Sequence, residues 1–123
     1  MIVGTGLDFV EIERMKHWLE NRNLCLRFFH EEELDTVLSR GREAAGSLAA
    51  RFAAKEAFAK ALGTGFAGLV LKDIRVNNDK SGRPELLLSG TALTAMHKTG
   101  ARKAHLSLTH EKNLAAAQVI LEA

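Results

Sequence analysis

The chain has 123 residues, 46% hydrophobic and 26% charged, with a formal net charge of +2. That is the composition of one soluble domain spanning residues 1–123, and it excludes wholesale disorder. No apolar run reaches the ~18 residues of a membrane span, and the mild positive charge is far from the dense Lys/Arg stripe of a dedicated nucleic-acid binder. An anionic small ligand or an acidic protein partner suits that charge better.

Ile2 to Asp8 is expected to be a short buried strand whose Gly4 and Gly6 let another backbone approach. The opening lacks a basic n-region and Asp8 breaks its apolar stretch, so no secretory leader is expected. Phe9 to Glu20 has helical spacing, with Ile12, Met15 and Leu19 inward and Glu11, Arg14 and Lys16 outward. The lone Cys25 supplies neither an intrachain disulfide nor a zinc cluster, which fits a reducing, cytoplasmic location. A shorter helix covers Glu31 to Ser39. Arg42 to Leu62 is the dominant helix, stopped by Gly63 and Gly65. Asp73–Asn77 and Glu85–Leu88 have strand character around the turn at 78–82, and Thr91–Lys98 is helical. Lys103–Thr109 and Leu114–Leu121 form a hairpin. Its second strand is apolar on both faces, as suits the middle of a sheet or a subunit contact. The class is α+β.

Four residues carry candidate chemistry. Asp8 lies at a strand end beside glycines, where it serves either as a helix cap or as a metal ligand. Glu56 falls within an arc of about 100° that also holds Leu48, Phe52, Ala45 and Ala49. A carboxylate in such surroundings needs a partner. Lys60 at i+4 offers a plain helix salt bridge, or the two form a site in which one binds a hard cation and the other a phosphate oxygen. His110 closes the strand His105-Leu106-Ser107-Leu108-Thr109-His110, a position held more often by a surface or turn histidine than by a catalyst. The Gly63-Thr64-Gly65 turn is either a helix stop or a place where backbone meets phosphate.

Taken together these segments form a recognisable pattern. Gly4-Thr5-Gly6-Leu7-Asp8 resembles the amino-terminal GxGxD signature of the bacterial 4′-phosphopantetheinyl transferases of the holo-[acyl-carrier-protein] synthase type. Arg51-Phe52-Ala53-Ala54-Lys55-Glu56-Ala57-Phe58-Ala59-Lys60-Ala61-Leu62-Gly63-Thr64-Gly65 is similar to the central signature of that family. Ser107-Leu108-Thr109-His110 resembles its carboxy-terminal one, followed by the alanine-rich strand Ala115-Ala116-Ala117-Gln118-Val119. Asp73-Ile74-Arg75-Val76 and Gly82-Arg83-Pro84 also fit. The resemblance spans essentially the whole chain.

It implies a single-module α+β fold with an antiparallel sheet packed on a long central helix. It also implies transfer of the phosphopantetheine arm of coenzyme A to a serine of apo-acyl carrier protein, supporting fatty acid biosynthesis. Adenosine 3′,5′-bisphosphate leaves, and Mg²⁺ is required. The implied metal ligands are Asp8 and Glu56. Lys60 is implied at the pyrophosphate, His110 as the family's histidine with a catalytic and coenzyme-binding role, and Arg51, Gly63, Thr64 and Gly65 as nucleotide contacts. A metal-bound water, Glu56 or His110 takes the serine proton. Carrier docking is implied at the first helix near Arg14, with Lys16, Arg22 and Arg27 as a basic rim around Met15, Phe9 and Trp18 nearby, and a core-facing methionine as the competing reading. His30 departs from the family's usual threonine. The family's single-module members assemble as homotrimers with sites between neighbours. The competing function is a non-catalytic module of the same fold that binds a nucleotide or an acidic protein.

Overall fold

A computed structural model describes all 123 residues. The strands are β1 (Ile2–Glu11), β2 (Ile74–Asn78), β3 (Pro84–Leu88), β4 (Lys103–Glu111) and β5 (Leu114–Glu122). The helices are α1 (Ile12–Leu19), α2 (Arg22–Phe28), α3 (Glu31–Leu38), α4 (Ala44–Leu62) and α5 (Gly90–Lys98). All pairings are antiparallel: a three-stranded sheet in the order β1-β5-β4 and a separate β2-β3 hairpin.

The expected α+β arrangement is the observed one, and α4 is its axis. At 19 residues it is about 28 Å long, and it is buried on nearly every side from Ala44 to Ala61. Alanine and glycine dominate its turns, so neighbouring backbones come close around its whole circumference. It ends as expected, at Gly63 with a left-handed φ of 82°. Its first turn is tighter than expected: Gly41–Glu43 is a 3-10 turn, and the α-helix proper begins at Ala44.

β5 lies in the middle of its sheet, one of the two settings its apolar faces suggested. Ala115, Ala117, Val119 and Leu121 point inward to α4 and are buried. On the opposite face Leu7 of β1 pairs with Gln118, and Phe9 with Ala116. Nothing in the chain covers that face: Leu7 is 53% exposed and Phe9 63%.

The passage from the first strand to the first helix differs from the sequence reading. β1 continues past Asp8 to Glu11, because the alternation that buries Gly6, Asp8 and Val10 persists and β5 supplies partners as far as Leu114. α1 therefore starts at Ile12, and Asp8 caps nothing. The helix is preceded by Glu11, which gives no side-chain cap, and the Ile12 N–H donates instead to the Asn113 carbonyl at 2.9 Å. α2 is an additional short helix, capped by Asn21 Oδ1 accepting from the Leu24 N–H. Before α3, His30 and Glu33 form a reciprocal cap: His30 Nδ1 accepts from Glu32 N, and Glu33 Oε1 accepts from His30 N.

Candidate active site

The glycines of the amino-terminal signature explain how β1 meets α4. A Cβ at Gly4 would stand 2.2 Å from the Ala61 carbonyl oxygen, and one at Gly6 would stand 1.9 Å from that of Ala57. Only a residue with no side chain fits there. The close approach lays the inward face of β1 against the last turns of α4. Asp8, two residues beyond Gly6 and on the same face, thereby comes to the Lys60 side chain.

Asp8 Oδ1 accepts from Lys60 Nζ at 2.7 Å, and the Leu7 carbonyl accepts from the same ammonium at 3.2 Å. The i,i+4 salt bridge between Glu56 and Lys60 does not form; Lys60 turns to Asp8. Burial and the negative charge of Asp8 push the Glu56 carboxyl above its ordinary value, while Arg14 and Lys60 pull the other way. The hydrogen bond and charge of Asp8 raise the Lys60 ammonium, which remains solvent-accessible. Asp8 Oδ2 is buried without a partner. A buried orphan oxygen beside a second, repelled carboxylate is an arrangement that a cation completes. No third His, Cys, Asp or Glu joins the two acids. That suits Mg²⁺, which takes one or two carboxylates and leaves its other positions to water and phosphate oxygens.

A second polar group lies on another side of α4. Arg51 is buried, donating from Nη1 to Ser47 Oγ at 2.6 Å and from Nη2 to Asn78 Oδ1 at 2.9 Å. Its Nε is buried and unpartnered, and burial and the charge of Arg40 lower its pKa. Arg40, Arg51, Asn78, Thr109 and His110 line a cavity of about 300 Å³. The His110 ring rests on α4, where a Cβ at Gly46 would stand 3.1 Å from Nδ1. Thr64 lines a separate, larger hollow with Gly68, Thr91 and Lys98. Gly63 and Gly65 have φ of 82° and 65°, conformations that glycine accepts and other residues resist.

The candidate residues thus fall into two sets. Arg51 and Glu56, five residues apart, project about 140° from one another around the helix. The cavities that Arg51 and His110 line include neither Asp8, Glu56 nor Lys60. On α1, Met15 is core and not the centre of a surface patch. Trp18 belongs to an aromatic cluster with Phe28 and Phe52, and the Arg14 guanidinium stacks 5.4 Å from the Phe52 ring centre. Phe9 is apart from that cluster, on the uncovered face of the sheet. Ser47 and Asn78 were not foreseen. Ser47 was legible as the residue one helical turn before Arg51, whereas the Asn78 contact needs the tertiary fold.

A family model of the 4′-phosphopantetheinyl transferase superfamily matches residues 4–119. The chain belongs to this superfamily. It is 61% identical over 122 residues to the holo-[acyl-carrier-protein] synthase of Treponema denticola, covering 99% of each chain. Among solved structures, the Neisseria meningitidis synthase aligns over 100% of both chains with a TM-score of 0.88 and 32% identity. The Bacillus anthracis synthase, solved in complex with coenzyme A (3′,5′-ADP), aligns with a TM-score of 0.83 and 37% identity over 100% of this chain and 98% of that one.

Proposed function

We propose that this phosphopantetheinyl transferase, acting as one domain over residues 1–123, moves the 4′-phosphopantetheine arm of coenzyme A to a serine of apo-acyl carrier protein, releasing adenosine 3′,5′-bisphosphate. The observation that carries the reading is the Asp8–Glu56–Lys60 constellation with its orphaned Asp8 oxygen, in a chain alike over its whole length to proteins named for this reaction. The product, holo-carrier, supplies fatty acid biosynthesis in the cytoplasm. No helix is long and apolar enough to cross a membrane.

The chemistry is substitution at phosphorus. The serine oxygen forms a bond to the phosphorus that carries the pantetheine arm, the bond from that phosphorus to the departing nucleotide breaks, and the serine proton is lost. Positioning and charge neutralisation carry most of the rate. Asp8 and Glu56 hold Mg²⁺, which when bound neutralises pyrophosphate charge and makes the phosphorus more electrophilic. Lys60 supports the developing charge on the leaving oxygens, and Asp8 keeps its ammonium fixed and protonated. Of the two side chains able to take the serine proton, Glu56 is the better placed, one helical turn from Lys60 on α4, while His110 stands with Arg51. Arg51 and Arg40, with His110 beside them, receive the phosphate of the nucleotide that is not part of the pyrophosphate, in a pocket that Glu43 also lines. The Gly63-Thr64-Gly65 turn begins three residues after Lys60 and lies against the nucleotide.

One copy holds these two sets of residues apart, so the complete site forms between copies of a homotrimer. The uncovered face of the β1-β5-β4 sheet, with Leu7, Phe9 and Leu114 exposed, is the contact. The acidic carrier docks at α1 around Arg14. Calorimetric titration of coenzyme A tests the reading. Binding that strengthens with Mg²⁺, and loses that dependence in Glu56→Gln, supports it. Binding indifferent to Mg²⁺ in both forms overturns it in favour of a non-catalytic nucleotide-binding module.

A further inference from the structure

The side chain next to Glu56 in sequence, Lys55, faces away from the carboxylate pair and is wholly buried with Glu33. The Lys55 ammonium donates to three oxygens: Glu33 Oε1 at 2.9 Å, the Leu71 carbonyl at 3.1 Å and the Ile74 carbonyl. All three of its hydrogens are used. Glu33 Oε1 also accepts from the His30 N–H, and Oε2 accepts from the Val76 N–H at 3.0 Å. Four backbone groups from the start of α3, the 3-10 turn at 71–73 and β2 therefore converge on one ion pair.

Stability alone does not account for it. A buried ion pair gives back in desolvation what it gains in attraction, and apolar side chains of similar volume often replace such pairs without loss. Beyond the apolar packing of Ile74 and Val76, the pair ties the backbone edge of β2 to α4 by hydrogen bonds. Two residues beyond Val76 stands Asn78, whose Oδ1 accepts from Arg51 Nη2. Asn78 Nδ2 in turn donates to the Gly82 carbonyl, which sets the amide so that its oxygen faces Arg51. The other terminal nitrogen, Nη1, donates to Ser47 Oγ on α4 itself. Arg51 is thus held between a helix and a strand, and Glu33–Lys55 bonds that strand to the same helix.

We infer that Glu33 and Lys55 are positioning residues for nucleotide recognition: through β2 and Asn78 they orient Arg51 toward the lone phosphate of the nucleotide. The inference rests on the reading that Arg51 meets that phosphate. It assigns the pair no contact with substrate and no part in the bond-breaking step. Its consequence is selective, affecting how well the protein distinguishes nucleotides with and without the second phosphate.

The test measures calorimetric affinity for adenosine 3′,5′-bisphosphate and adenosine 5′-monophosphate, with KM for coenzyme A and kcat of transfer. The variants are Glu33→Gln, the double Glu33→Leu/Lys55→Met, and Asn78→Ala. Each is expected to bind the bisphosphate about tenfold more weakly, as loss of an aligned charge-assisted hydrogen bond implies. Monophosphate affinity stays within about twofold and kcat within about threefold, because the carboxylate pair and Lys60 are untouched. Equal weakening toward both nucleotides, or a fall in kcat at unchanged KM, overturns the inference, the latter because it places the pair behind Glu56 instead. Asn78 is the half-buried last residue of its strand, so Asn78→Ala tests the link from β2 to Arg51 even where the core variants fail to fold. Wild-type selectivity in it refutes the inference. Wild-type protein that neither binds coenzyme A nor transfers the arm refutes the functional reading itself, a separate result.

Discussion

Gly6→Ala probes the link between fold and chemistry. The added methyl would stand 1.9 Å from the Ala57 oxygen and 2.8 Å from the Ala61 nitrogen. A carbon resting on a carbonyl oxygen needs about 3.3 Å, so β1 must retreat by about 1.4 Å. α4 cannot yield instead, since it is packed on nearly every side. Asp8 moves with its strand, and its 2.7 Å contact with Lys60 opens to about 4 Å, beyond hydrogen-bond range. Overpacking of this kind costs about 1–3 kcal/mol. A fold of this size withstands that, and the melting temperature falls by several degrees. Transfer falls further, by about 100-fold, because a displacement near 1 Å disrupts the alignment on which the rate depends. Thermal melts and intact-mass assay of carrier modification read the two effects. Gly100→Ala is the control: its φ of 90° makes alanine strained, but nothing lies within 4 Å of the new methyl. It is destabilised and keeps its rate. A Gly6→Ala protein no slower than Gly100→Ala refutes the reasoning.

Glu56→Gln is expected to reduce transfer by at least about 100-fold and to raise the melting temperature of the metal-free protein at neutral pH. Folding raises the Glu56 carboxyl above its unfolded value, so its stabilising contribution is complete below the unfolded value and lost as pH climbs through the folded one. The gain from glutamine therefore disappears below about pH 4; a melting temperature no higher than wild type at neutral pH contradicts this. Phe9→Asp, on the uncovered sheet face, yields monomers by sedimentation and abolishes transfer; an active monomer contradicts the shared site. Mixing Glu56→Gln with Arg51→Ala before assembly restores part of the activity, and no restoration in verified mixed trimers counts against sites formed between copies. Arg14→Glu raises KM for the carrier about tenfold, whereas an unaltered carrier KM moves docking elsewhere.

Much of the fold was legible because its signals are local. The hydrophobic pattern and the closing glycines mark α4, and the doubly apolar β5 suggests a central strand or a subunit contact, of which the first is observed. Gly4 and Gly6 signalled close backbone approach, though not which element would approach. The sequence places the end of β1 at Asp8, because Asp8-Phe9-Val10-Glu11 carries capping spacing, while the pairing with β5 that extends the strand is long-range. The same limit applies in the site. Helical spacing suggested Glu56 with Lys60, but the tertiary fold offered Lys60 a buried carboxylate on a strand 52 residues away. Glu33 and Asn78 were invisible for that reason: each acquires its role from an element distant in sequence.

The most direct measurement is the intact mass of an apo-acyl carrier protein incubated with this protein, coenzyme A and Mg²⁺. The account requires a gain of about 340 Da, the mass of the phosphopantetheine arm transferred. That gain disappears without Mg²⁺ and with Glu56→Gln. No gain with any of several acidic carriers, from protein that binds coenzyme A, contradicts the transferase account.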